Sequence, residues 1–143
     1  MIMKNFFAFP IIALAMTVSA CQTDSRSQVL ETSKSQVQIR SYQTRAYDTT
    51  DQQKMLRTII ATLQDLGFVV DKADATLGTV SATKLDGYLL RITVTTRARG
   101  NTQTLVRANA QYNITPVEDP TPYQSFFDAL SKAMFLEGHQ VDA

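Results

Sequence analysis

The chain has 143 residues, 44% of them hydrophobic and 19% charged, with 14 Lys+Arg against 13 Asp+Glu. That length supports one core rather than two, and the near-neutral balance argues against a strongly basic nucleic-acid binder and against an acidic solvating tail. One Cys and one His exclude an internal disulfide framework and a Cys/His zinc site and disfavour a Cys/His catalytic pair.

The first twenty residues have the layout of an export signal: Lys4 near the start, an apolar run from Phe6 to Met16, then the small residues Ser19 and Ala20. The run is shorter than the roughly 20 apolar residues of a spanning helix, and Pro10 interrupts it. Val18-Ser19-Ala20-Cys21 resembles the lipobox of bacterial lipoproteins. The resemblance implies cleavage between Ala20 and Cys21 and acylation of Cys21, where several chains at ~0.8 kcal/mol per buried CH₂ would hold the protein at a membrane. A conventional signal cut after Ala20, leaving a free thiol, is the plainer alternative. Gln22 in place of Asp implies, by the enterobacterial sorting pattern, the periplasmic face of the outer membrane. Losing residues 1–20 removes only Lys4, so 13 cations face 13 anions.

Residues 21–36 are rich in Ser, Thr and Gln, with one apolar pair at Val29-Leu30. Such a segment lacks the apolar surface to offset its ordering entropy and reads as a flexible tether. Residues 37–143 then form a single domain. Val37 to Tyr47 carries β-branched and aromatic residues in imperfect alternation and predicts a strand with room for a bulge. Thr50 and Gln53 fit a capping box with Asp51 at the positive helix end. The stripe Met55, Leu56, Ile59, Ile60, Leu63, Leu66 predicts an amphipathic helix ended by Gly67 in a left-handed conformation.

Phe68 to Lys72 and Thr79 to Lys84 predict a hairpin whose connection turns at Asp74 and Gly78, with a second turn at Leu85-Asp86-Gly87. Leu90, Ile92 and Val94 alternate with Arg91, Thr93 and Thr95, and after a turn at 99–102 Val106 to Ile114 alternate likewise, which predicts a long antiparallel hairpin. Thr121-Pro122-Tyr123-Gln124 predicts a helix beginning at Pro122. Its stripe is Tyr123, Phe126, Phe127, Leu130, Ala133, Met134 and Leu136, and Gly138 is placed to end it. The order β-α-β-β-β-β-α implies a two-layer α+β domain, an antiparallel sheet of about five strands with both helices on one face.

No pattern of acids sets a general acid beside a base or holds a metal, and no nucleophile elbow, phosphate loop or dinucleotide fingerprint occurs. His139 reads as a solvated histidine in a polar tail. The chain is therefore read as a non-enzyme without cofactor or metal. The informative polar feature is the outward sheet face, where Arg91, Arg97, Arg107, Asn109 and Gln111 should stand together. A charged, solvated face is the simpler reading, and a docking surface for an acidic or polar partner is the functional one. Among Phe126, Phe127 and Phe135, which read as core or as the lining of a ligand groove, Phe135 lies partly off the stripe and is the apolar residue left for a partner.

The stretch LQDLGFVVDKADATLGTVSATK, residues 63–84, resembles the repeated domains of the BamC-like lipoproteins of outer-membrane barrel assembly. The likeness rests on Gly67-Phe68, Asp71 or Asp74, and Gly78, followed by a sheet and a C-terminal helix. It implies a helix-grip fold and a non-catalytic accessory or scaffold role beside an envelope protein partner. This chain has one such domain where BamC has two, and a short tether in place of its long N-terminal region. A lipid- or small-ligand-binding module, with its groove between the C-terminal helix and the sheet, is the alternative from another class.

Overall fold

The computed structural model describes residues 36–85, 87–135 and 138–141. The signal segment, the Ala20–Cys21 junction, the tether before Gln36, Asp86 of the second turn, and Leu136 of the apolar stripe lie outside the described residues.

The described chain opens in a helix, α1 (residues 36–43), where a strand is expected. Burial explains the difference. Ile39 and Gln43 are buried and Tyr42 half-buried, a spacing of three and four, while Val37 is exposed, so the β-branched pair, two residues apart, does not share one face as it would in a strand. Arg45 Nη1 donates to the carbonyl oxygens of Ser41 (3.0 Å) and Thr44 (2.8 Å), a cation placed at the negative helix end. Only Thr44–Tyr47 of the expected strand extends into the sheet, as β1.

Helix α2 (Gln52–Asp65) is capped by Asp51, whose carboxylate accepts from the Lys54 amide at 2.9 Å. Its expected stripe is inward, with Met55, Leu56, Ile59 and Leu63 buried and Ile60 and Leu66 half-buried, and Gly67 takes φ +84°. Strands β2 (Val69–Asp74) and β3 (Thr79–Leu85) form the expected hairpin. Asp74 Oδ1 accepts from the amides of Thr76 and Leu77 at 2.9 Å. The sheet's bulge lies in β2, between Val70 and Lys72, instead of in the first element.

Strands β4 (Leu89–Arg99) and β5 (Gln103–Tyr112) make the long hairpin. β5 ends two residues early, at Asn113 with φ 54°, and Ile114 is 90% exposed. Two short strands complete the sheet: β6 (Thr115–Pro116) on β5 and β7 (His139–Gln140) on β1. The order is β2-β3-β4-β5-β1-β7, antiparallel at every described pairing.

Helix α3 (Pro120–Met134) starts two residues before the expected position because Asp119 caps it, accepting from the Thr121 amide at 2.8 Å. This bond holds the Asp119 carboxyl below its ordinary pKa. Tyr123, Phe126, Phe127, Leu130 and Met134 are buried, whereas Ala133 is exposed. The helix closes on Phe135 in a left-handed conformation, φ 54°. Gly138 therefore has a different role from ending the helix: a Cβ there would lie 3.0 Å from the Tyr47 ring.

Both helices cover the same face of the sheet, which offers Val80, Ala82, Ile92, Val94, Val106, Ala108 and Ala110 to them. The fold is thus α+β in two layers, with α1 as a third helix at the β1 edge. Small residues in the strands, Ala82, Ala108 and Ala110, make room for the aromatic stripe of α3. Two-residue β7 and the bulged, charged β2 (Asp71, Lys72, Asp74) stand at the two ends of the strand order.

Tyr123 joins these parts. Its hydroxyl, in a side chain 1% exposed, donates to the Val117 carbonyl at 2.8 Å and accepts from the Ala110 amide and from Gln43 Nε2, each at 3.2 Å. Tyr123→Phe strands these buried groups and should lower stability by about 1–3 kcal/mol, read as a fall in the urea midpoint with unchanged m-value; a midpoint equal to wild type would contradict the role given to the hydroxyl.

Candidate functional site

Alternation along β4 and β5 decides where the expected surface residues stand. Ile92, Val94, Ala108 and Ala110 enter the core, so their odd-numbered neighbours face away from the helices. The register pairs Arg91 with Gln111, Thr93 with Asn109, Thr95 with Arg107 and Arg97 with Leu105. All five expected residues, Arg91, Arg97, Arg107, Asn109 and Gln111, are therefore on the helix-free face. They do not form one site. Arg91 and Arg97 lie six residues apart on one strand, about 20 Å at ~3.4 Å per residue. Phe135 is 93% exposed but continues from the end of α3 in the helix layer, apart from the arginines.

At the β1 side of the open face the surface is concave. A hollow of about 370 Å³ is lined by four arginines, Arg40, Arg97, Arg99 and Arg107, over Thr44, Leu105 and Val141. Leu105 forms its floor, since it lies opposite both Arg97 and Ala46. Arg99 Nη1 donates to Gln103 Oε1 at 3.1 Å. Nε of Arg107 is buried and meets no hydrogen-bond partner among the described residues. Leaving such a donor unsatisfied costs about 1–3 kcal/mol, and more for a charged group. Among the described residues the one ion pair within 4.0 Å is His139 with Asp48, so no carboxylate there neutralises these guanidiniums at that distance.

Two of the four arginines escaped sequence reasoning. Arg99 continues the odd-numbered alternation of β4, and following the strand past Arg97 would have found it. Arg40 carried no such signal, because it reaches the hollow from α1, where a strand is expected.

A second concavity, of about 180 Å³, lies between the start of α3, the end of α2 and the sheet. Leu66, Phe68, Leu90, Ile92 and Phe126 give it apolar walls, and Lys84 stands at its side. Nζ of Lys84 donates to the Leu66 carbonyl at 3.1 Å and lies 5.9 Å from the Phe68 ring centroid. Of the aromatics weighed for a groove, Phe126 lines this cavity, while Phe127 packs in the core, edge-on to Phe126 at 5.1 Å.

His139 is in β7, not in a free tail, and its Nε2 is 2.9 Å from Asp48 Oδ2. The Asp48 carboxylate also accepts from Gln103 Nε2 at 2.7 Å. These bonds, Gln103 first and His139 second, hold its pKa below the ordinary value. No group of three or more His, Cys, Asp or Glu among the described residues is placed to hold a metal, and no described helix is long and apolar enough to cross a membrane.

Comparison with protein-family models and with curated proteins finds no match to this chain.

A depressed carboxyl contributes stability above its unfolded pKa and loses it as the pH falls through its folded pKa. Gln103→Ala should move the Asp48 titration up toward the ordinary range by NMR. Its stability deficit against wild type should be present at neutral pH and fade on acidification through the Asp48 range; a pH-independent deficit would assign Gln103 to packing alone.

Proposed function

We propose that the chain is a lipid-anchored envelope protein, exported by residues 1–20 and held through Cys21 at the periplasmic face of the outer membrane. Its α+β domain acts there as a non-catalytic accessory that docks a component of an envelope complex. The observation that carries the docking half is the helix-free sheet face. Arg91, Arg97, Arg107, Asn109 and Gln111 stand on one side of the sheet while both large helices occupy the other, and Arg107 keeps a buried donor without an acceptor among the described residues. Arg is favoured at interfaces because its planar fork pairs with carboxylate or phosphate through two parallel bonds. The anchoring half is supported by the Val18-Ser19-Ala20-Cys21 motif after an apolar run of signal-peptide length.

A second reading, a module for a small lipid or other ligand, is favoured by the apolar cavity between α3 and the sheet. Its volume of about 180 Å³ is below the usual ~300–1,000 Å³ of ligand pockets. It suits a group of benzene size, which a cavity of ~150 Å³ accepts.

Crosslinking in intact cells should capture a defined envelope protein with the wild-type chain, and Arg91→Glu with Arg107→Glu should reduce that capture at least tenfold while the urea midpoint stays near wild type. Undiminished capture by a folded double variant would remove the sheet face from the interaction. Cys21→Ala should leave the precursor uncut and free of acyl label, and normal labelling would refute the anchor. For the second reading, native mass spectrometry of protein extracted from membranes should show a retained small molecule that is lost on filling the cavity with Ala110→Leu; a bare protein mass would count against it.

A further inference from the structure

We infer that the arginine hollow beside β1 is an oxyanion site, and that its ligand is the phosphate of an anionic lipid headgroup in the membrane that holds the chain. The inference rests on the proposed anchor at Cys21 and on the reading of this sheet face as a docking surface, and it names what part of that face binds.

Charge is the first reason. Arg40, Arg97, Arg99 and Arg107 come from three elements, α1, β4 and β5, onto one concavity of about 370 Å³. Like charges gathered in this way repel one another, and a ligand carrying negative charge relieves the repulsion. The second reason is the buried Nε of Arg107. The large majority of buried side-chain polar atoms in folded proteins have partners, and among the described residues this one has none while its side chain lines the hollow. A phosphate in the hollow presents several oxygens to Arg40, Arg97 and Arg107, the multidentate geometry for which guanidinium is suited, and a small turn of the Arg107 side chain brings its Nε to one of them.

Shape and place argue for a headgroup over a free ion. The volume falls within the ~300–1,000 Å³ of ligand sites, more room than a bare phosphate fills, and Leu105 and Val141 offer apolar contact beside the cations. Arg40 stands one helical turn beyond Gln36, where the described chain begins. Only the residues from Gln22 to Ser35 separate Gln36 from Cys21, a number of residues that as a flexible chain would span about 20 Å. With Cys21 acylated as proposed, the hollow would stay within reach of a phosphate-covered surface, at the high effective concentration that tethering confers.

The test uses the full chain in a neutral detergent and follows the Nε–Hε signals of its arginines by NMR. The probes are dihexanoylphosphatidylglycerol below its micelle concentration, inorganic phosphate and a glutamate-rich peptide. The lipid probe should move the Arg107 signal saturably and bind at least tenfold more tightly than either of the others. Arg97→Gln should weaken that binding tenfold or more, and Arg57→Gln, which removes the same charge from the exposed side of α2, should change it less than twofold. The inference falls if the Arg107 signal does not move, if both variants weaken binding equally, if inorganic phosphate binds as tightly as the lipid, or if the peptide binds better. Its failure is separable from that of the docking reading: partner capture that still depends on Arg91 and Arg107, with no response to the lipid probe, leaves the protein interface standing, and lipid binding without such capture leaves only the headgroup site.

Discussion

The fold turns on one hydroxyl. Strand β5 is bonded along its whole length to β4, but on its other side β1 covers only residues 104–107 and β6 only residues 111–112. The gap between them falls in the core, where a bare amide would be costly. Tyr123 fills it, taking the Ala110 amide and giving its proton to Val117. By holding Gln43 as well, it draws α1 to the same point. The tilted contact of its ring with Tyr42, 5.6 Å between centroids, adds apolar area. Helix α3, the sheet, the connection before α3 and the entry helix therefore share one buried junction.

Much of this architecture was legible in the sequence, for physical reasons that differ by element. Helix α2 and the β4–β5 hairpin were readable because each buries one face, so their periods of 3.6 and 2 are imposed on the apolar residues. Turns at Gly67 and Gly78 were readable because positive φ favours glycine, and at Gly78 an added Cβ would also lie 2.6 Å from Thr96 Oγ1. The start of α3 is ambiguous in the sequence because Asp119 and Thr121 are both good caps, and in the structure the Asp119 carboxylate takes the Thr121 amide. α1 was not legible at all. Val37 and Ile39 carry strand propensity, and what overrides it is the contact of Ile39, Tyr42 and Gln43 with the finished fold.

The same distinction applies to the candidate site. Alternation along β4 and β5 is enough to place five polar residues on one face. It could not show that the face divides, with Arg91 far from Arg97, or that two further arginines join Arg97 and Arg107 around a hollow. Concavity is a property of how α1 and the end of the chain meet the sheet edge, and no local pattern encodes it. The resulting domain is asymmetric: the helix layer carries the apolar cavity and Phe135, and the opposite sheet face carries Arg91, Arg97, Arg99 and Arg107.

The bulge in β2 has a bearing on how copies of this protein crowd together. A regular outer strand offers its free amides and carbonyls to the next molecule's sheet, a template for aggregation. Here one outer strand is broken in register and bears Asp71, Lys72 and Asp74, and the other is only two residues long. Neighbours brought side by side thus find little backbone to share, and the sheet is poorly suited to growing from one copy into the next.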